Sequence, residues 1–135
     1  MRALSAVLLA SVGLAACNNN QPPPKQREIR VVSEEQKQLH QLDAFNLAIG
    51  LKHAIYDAGY TCKRVTDAGF VGIWQNLDMW MARCDYGAGN SREWAIFAGP
   101  DGSAQVRACK DIEPGSGLPP CVIKQRPKGS FNDVK

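Results

Sequence analysis

Leu77-Asp78-Met79-Trp80-Met81-Ala82-Arg83-Cys84 is the stretch that decides the fold. Read with the two-residue period of a strand, Trp80, Ala82 and Cys84 fall on one side, and Met79 and Met81 on the other. Both sides carry large apolar groups, so a sheet containing this strand has two faces to hide. Residues 60–66, 93–98 and 104–109 have similar character, and in 93–98 Ala95 and Phe97 alternate with Trp94 and Ile96. Between these runs, residues 85–91 are rich in Gly and Asn, and Gly99-Pro100-Asp101-Gly102-Ser103 is turn chemistry. Short turns between strands imply antiparallel neighbours, hence a small meander of three to four strands.

Upstream the period changes to that of a helix. Ser33 with Gln36 three residues later forms a capping box, Glu34 and Glu35 suit the positive end of the helix, and Gly59 offers a left-handed stop. One long helix over residues 34–58 is expected, weakened at Gly50. Ala44, Leu47, Ala48, Leu51, Ala54, Ile55 and Ala58 share its apolar face, with Leu42, Phe45, Ile49 and Tyr56 adjoining it. Asp43, Asn46, Gly50, His53 and Asp57 make a narrow polar stripe. The fold class is therefore α+β: one long N-terminal helix packed on an antiparallel meander.

The first residues carry an address rather than a fold. Arg2 gives a positive start, residues 3–14 are uncharged and apolar but too short to span a bilayer, and Leu14-Ala15-Ala16-Cys17 follows. This ending resembles the lipobox of bacterial lipoproteins. The resemblance implies cleavage before Cys17, a diacylglycerol on its thiol and an acyl group on its new amine, so the bilayer is the first partner. Residues 1–16 are then a signal peptide and residues 17–32 a lipidated tether. Fully extended, the tether reaches about 50 Å. Asn18 is not the aspartate that retains many such proteins at the inner membrane. By resemblance to that sorting rule the expected location is the outer membrane, facing the periplasm, with the inner membrane as the alternative.

With Cys17 given to lipid, Cys62, Cys84, Cys109 and Cys121 remain, an even number suited to an oxidising compartment. Cys62 with Cys84 would join matching ends of adjacent antiparallel strands, and Cys109 with Cys121 would close a Pro/Gly-rich loop. Each bridge is worth about 3 kcal/mol in the chain-entropy view. A metal site is not expected, since there is no Cys-x-x-Cys and neither histidine lies near a cysteine. The folded domain is expected over residues 33–111, followed by a basic, Pro/Gly-rich segment, 112–135, stapled by the second bridge.

The chain has 135 residues and a formal charge of +3, and its basic surplus lies at the ends: Lys25, Arg27 and Arg30 before the domain, Lys124, Arg126, Lys128 and Lys135 after it. The middle is net acidic, and no nucleic-acid motif appears, so nucleic acid is not an expected partner. His53 and Asp57 stand four apart on the helix, as an acid/base pair would, but lack a nucleophile or third ligand, while His40 points elsewhere. No enzyme activity, catalytic residue or cofactor beyond the Cys17 lipid is expected.

Since one helix covers one sheet face, the other must meet the segments 70–74 and 112–123, a second copy or a partner. Met79, Met81, Trp94 and Ile96, with Arg83 nearby, form the candidate binding set, being adaptable and aromatic. A helix before a meander is generally similar, at fold level, to small envelope adaptors such as the BamE-like and β-lactamase-inhibitor-like lipoproteins, although none of their characteristic patterns is present. The expectation is a non-catalytic, membrane-anchored envelope module binding a protein before a glycan. The alternative is an inhibitor or accessory subunit of an envelope enzyme.

Overall fold

The computed structural model describes residues 30–133. Cys17, the signal segment and most of the tether lie outside that range. The elements run α1 (Glu34–Gln41), α2 (Ala44–Asp57), β1 (Arg64–Trp74), β2 (Leu77–Gly87), β3 (Asn90–Ala98) and β4 (Ala104–Ala108), with single 3-10 turns at Cys109–Asp111 and Phe131–Asp133. The four strands form one antiparallel sheet in the order β1-β2-β3-β4. The α+β class, the meander and both disulfides stand. The Cα atoms of Cys62 and Cys84 are 5.3 Å apart, and those of Cys109 and Cys121 5.8 Å, both within the ordinary reach of a disulfide. Among the described residues no helix is long and apolar enough to cross a membrane.

The single long helix is not what forms. The Ser33 capping box starts α1 as its sequence indicates, but the helix stops at Leu42, whose ψ of 143° is extended. Asp43 then caps a second helix, its carboxylate accepting from Asn46 N at 2.9 Å. A side chain able to satisfy a free helical N–H competes with helix continuation. The break is reinforced from outside, because Ala44 N donates to Lys128 O at 2.8 Å. Gly50, the expected weak point, lies inside α2.

Segment 70–74, expected to be a loop folding over the sheet, is instead the second half of β1. Pairing of β1 with β2 slips twice, between Val65 and Asp67 and between Phe70 and Gly72. Each irregularity breaks the alternation by which a strand is recognised, so Val65 and Ala68 are buried in one layer and Val71 in the other. The hairpin after it turns through Gln75, which takes a left-handed φ of 53° with no glycine to announce it.

Register decides which side chains share a face. Trp80 pairs with Ile96 and Ala82 with Trp94, while Met79 pairs with Phe97 and Met81 with Ala95. The first group meets Leu47, Ala48, Leu51 and Ile55 of α2. The second lies beneath the chain after β4, through Ile112, Leu118, Cys121 and Ile123. That chain also guards an edge: Phe70 N donates to Gln125 O, and Lys124 N to Phe70 O, each at 2.8 Å. The Arg126 guanidinium pairs with Asp67 on the same strand.

Gly69 makes this closure possible. A Cβ there would lie 2.5 Å from both Gln125 O and Ile123 Cγ2, a clash that the backbone carbonyl has no rotamer to relieve. Gly69→Ala should destabilise the domain by about 1–3 kcal/mol, the usual cost of overpacking. Denaturant titration would measure the loss, and hydrogen exchange should show it beginning with loosening of residues 123–126.

Candidate functional site

The structure divides the binding set read from the sequence. Met79 and Met81 are buried under residues 109–123, and Trp94 and Ile96 are buried under the helical layer. Trp94 Nε1 donates to the Tyr86 hydroxyl at 3.1 Å, and that hydroxyl in turn donates to Thr61 O. Only Arg83 is exposed, its guanidinium engaged by Glu93. The five residues therefore make no common surface: four are core, on opposite sides of the sheet.

In their place two features meet at the end of the sheet where the chain enters. The first is a buried carboxylate. Asp78 is fully buried as the first inward-facing residue of β2, and it accepts from the Arg30 guanidinium and, at 3.0 Å, from His40 Nε2. The His40 ring, far from the polar stripe of α2, packs edge-on to Phe70 and tilted against Trp80, with centroid distances of 4.6 and 4.9 Å. Gln36 lies one turn earlier on α1 and is equally buried. Its Nε2 donates to Asn76 O at 3.2 Å and Ala98 O at 3.1 Å, and its Oε1 accepts from Ser33 N. The sequence marked Gln36 as a cap only. Nothing in spacing could tell that the same amide also closes the end of the sheet, where it satisfies two strand-end carbonyls that burial would otherwise leave unpaired.

The second feature is a cleft of about 320 Å³ between α1, α2 and the β3–β4 hairpin. Leu39, Leu42, Leu51 and Ile96 supply its aliphatic lining, and it is kept open by residues with little or no side chain, notably Gly50, Ala54, Ala98 and Gly102. The helix break is its physical origin, since α1 and α2 leave an opening that one continuous rod would not. A groove continues from it along α2 past His53 and Asp57. These two residues of the polar stripe thus sit on the rim of an apolar groove, with Lys52 turned aside to donate to Lys63 O at 2.9 Å.

Glu35 is the charged residue on the cleft wall among the described residues, beside Gln36, Gln38 and Ser103. Glu35 is held below the ordinary carboxylate range by its own backbone N–H at the helix start and by the Ser33 hydroxyl. In the hairpin turn the Ser103 hydroxyl, at 2.6 Å, and then the Ser103 N–H hold Asp101 low in the same way. Asp85, outside the cleft, is lowered first by the Gly87 N–H and then by Arg64. Groups of 300–1,000 Å³ volume with apolar walls and few polar groups are the usual form of binding sites, and this cleft is at the small end of that range. No protein-family model matches the chain, and neither a curated protein nor a solved structure matches it.

Two outcomes follow from this geometry. Asp78 is buried, whereas the Arg30 and His40 side chains it holds can be reached by water, so Asp78→Ala should cost about 1–3 kcal/mol through the lost charge-assisted hydrogen bonds, read by chemical denaturation, with protease cutting first within residues 30–42. For Glu35, Asp85 and Asp101 the folded state lowers the pKa, so their contribution is present above the ordinary value and is lost as pH falls through the lowered one. Melting temperature should therefore fall on acidification below about pH 4, and Asp85→Asn should flatten that decline while lowering the neutral-pH plateau.

Proposed function

We propose that this chain is a non-catalytic, membrane-anchored lipoprotein of the cell envelope whose disulfide-bonded domain is an interaction module working through the α1–α2 cleft. The observation that carries the reading is the distribution of apolar surface. Both sheet faces are occupied by the chain's own segments, while the cleft stays concave, aliphatic and open to solvent. Phe45, Ile49 and Tyr56 of α2 stay exposed as well, but the concavity lies at Gly50, Ala54 and Gly102, which leave beside an aliphatic floor a space that packing alone would favour filling. The two disulfides suit an oxidising compartment, as does a lipobox before a polar tether. The outer membrane, periplasmic side, is the proposed location, with Cys17 as the point of attachment.

Palmitate labelling in the native host should tag the wild-type protein and not Cys17→Ser, and the variant should keep residues 1–16, read as an intact mass larger than that of the processed wild-type chain. A photo-crosslinker at Gln38, on the cleft wall, should trap an envelope protein in intact cells, whereas the same probe at exposed Asn90 on the far hairpin should not. Equal capture at both positions would remove the cleft from this reading.

A further inference from the structure

Resting on the interaction reading above, we infer that the occupant of the cleft is a basic, aliphatic peptide segment of a partner protein. The apolar part follows from the lining: Leu39, Leu42, Leu51 and Ile96 are aliphatic, and no aromatic ring lines the cleft. Such a wall takes a branched aliphatic side chain and offers a planar ring nothing to stack on. The charge follows from the rim. Glu35 stands on the α1 wall, Asp57 on the groove that continues along α2, and Asp101 in the turn whose Gly102 and Ser103 line both. Among the described residues the nearby lysines are engaged elsewhere, Lys37 on Glu34 and Lys52 on Lys63 O, and His53 stands further along the groove. Glu35 on the slot, Asp57 on the adjoining groove and Asp101 in the neighbouring turn together disfavour acidic partners and favour cations flanking the apolar anchor.

The size of the site also favours a peptide. At about 320 Å³ the cleft accepts one or two side chains, and the groove running on past His53 gives a chain somewhere to continue. Alongside it, Ala104 begins β4, which pairs only with β3 among the described residues. Its outer edge can receive backbone hydrogen bonds from an extended segment. Anchor, flanking charge and backbone pairing thus lie together on one side of the domain.

Fluorescence anisotropy on the chain from residue 17 onward carrying Cys17→Ser, which lacks both the apolar segment 1–16 and the lipid and so needs no detergent, tests this directly. The probe is a fluorescein-labelled nonapeptide of alternating leucine and lysine, compared with leucine/glutamate and serine/lysine versions. The expected result is at least tenfold tighter binding of leucine/lysine than of either control. Gly50→Leu fills the slot where a Cβ meets nothing within 4 Å, and should weaken binding at least tenfold, as should the paired reversal Glu35→Lys/Asp57→Lys. Equal binding of the leucine/glutamate peptide, or indifference to both variants, overturns the inference. So does self-association abolished by Gly50→Leu, which would make a second copy the occupant. Sequencing the segment trapped at Gln38 separates the two readings. A neutral or acidic segment sinks this inference and leaves the interaction module standing, whereas peptide binding in vitro without any trapped protein in cells does the reverse.

Discussion

A sheet with large apolar side chains on both faces has to be covered twice, and the architecture follows from that constraint. Met79 and Trp80 are neighbours in sequence and opposite in direction, so neither layer can be built without the other. The helices bury one face and the chain after β4 buries the second. In a domain this small, burial of a single face leaves too little apolar area removed from water to offset chain entropy. The covering chain is itself fixed at both ends, by the Cys109–Cys121 bridge and by the hydrogen bonds from residues 124 and 125 to Phe70.

The end of the sheet where Arg30 enters is closed largely by polar groups. Asp78 draws Arg30 and His40 inward, and Gln36 caps two carbonyls beside it. A buried carboxylate is stable only with such partners, and their geometry fixes where α1 lies. Once α1 is held there and α2 starts afresh at Asp43, the two helices leave a cleft between them and the β3–β4 hairpin. The proposed binding site is thus a by-product of how the helical layer is attached.

Local signals were legible wherever they depended on near neighbours in the chain. The Ser33 capping box, the turn at Gly99–Ser103, the alternation in β2 and β3 and both cysteine pairings could be read from residues a few places apart or from strands joined by short turns. Phe70–Trp74 was not legible as strand, because the register slips in β1 scramble its alternation. Trp94 and Ile96 face the helices with Trp80 and Ala82 rather than joining Met79 and Met81, because strand alternation gives two sides and not which side of one strand matches which side of the next. That match is a property of register, and Ala82 opposite Trp94 is what sets it.

What the sequence determined by itself is the class of structure: a helical segment before an antiparallel meander, with four cysteines that pair two by two, all carried by spacing and composition. What only the tertiary structure decided is which groups become a site. His40 and Asp78 are 38 residues apart, and Gln36 meets Ala98 across 62. Their meeting depends on the angle between two helices and on strand register, quantities fixed by the packing of the whole domain rather than by any local stretch.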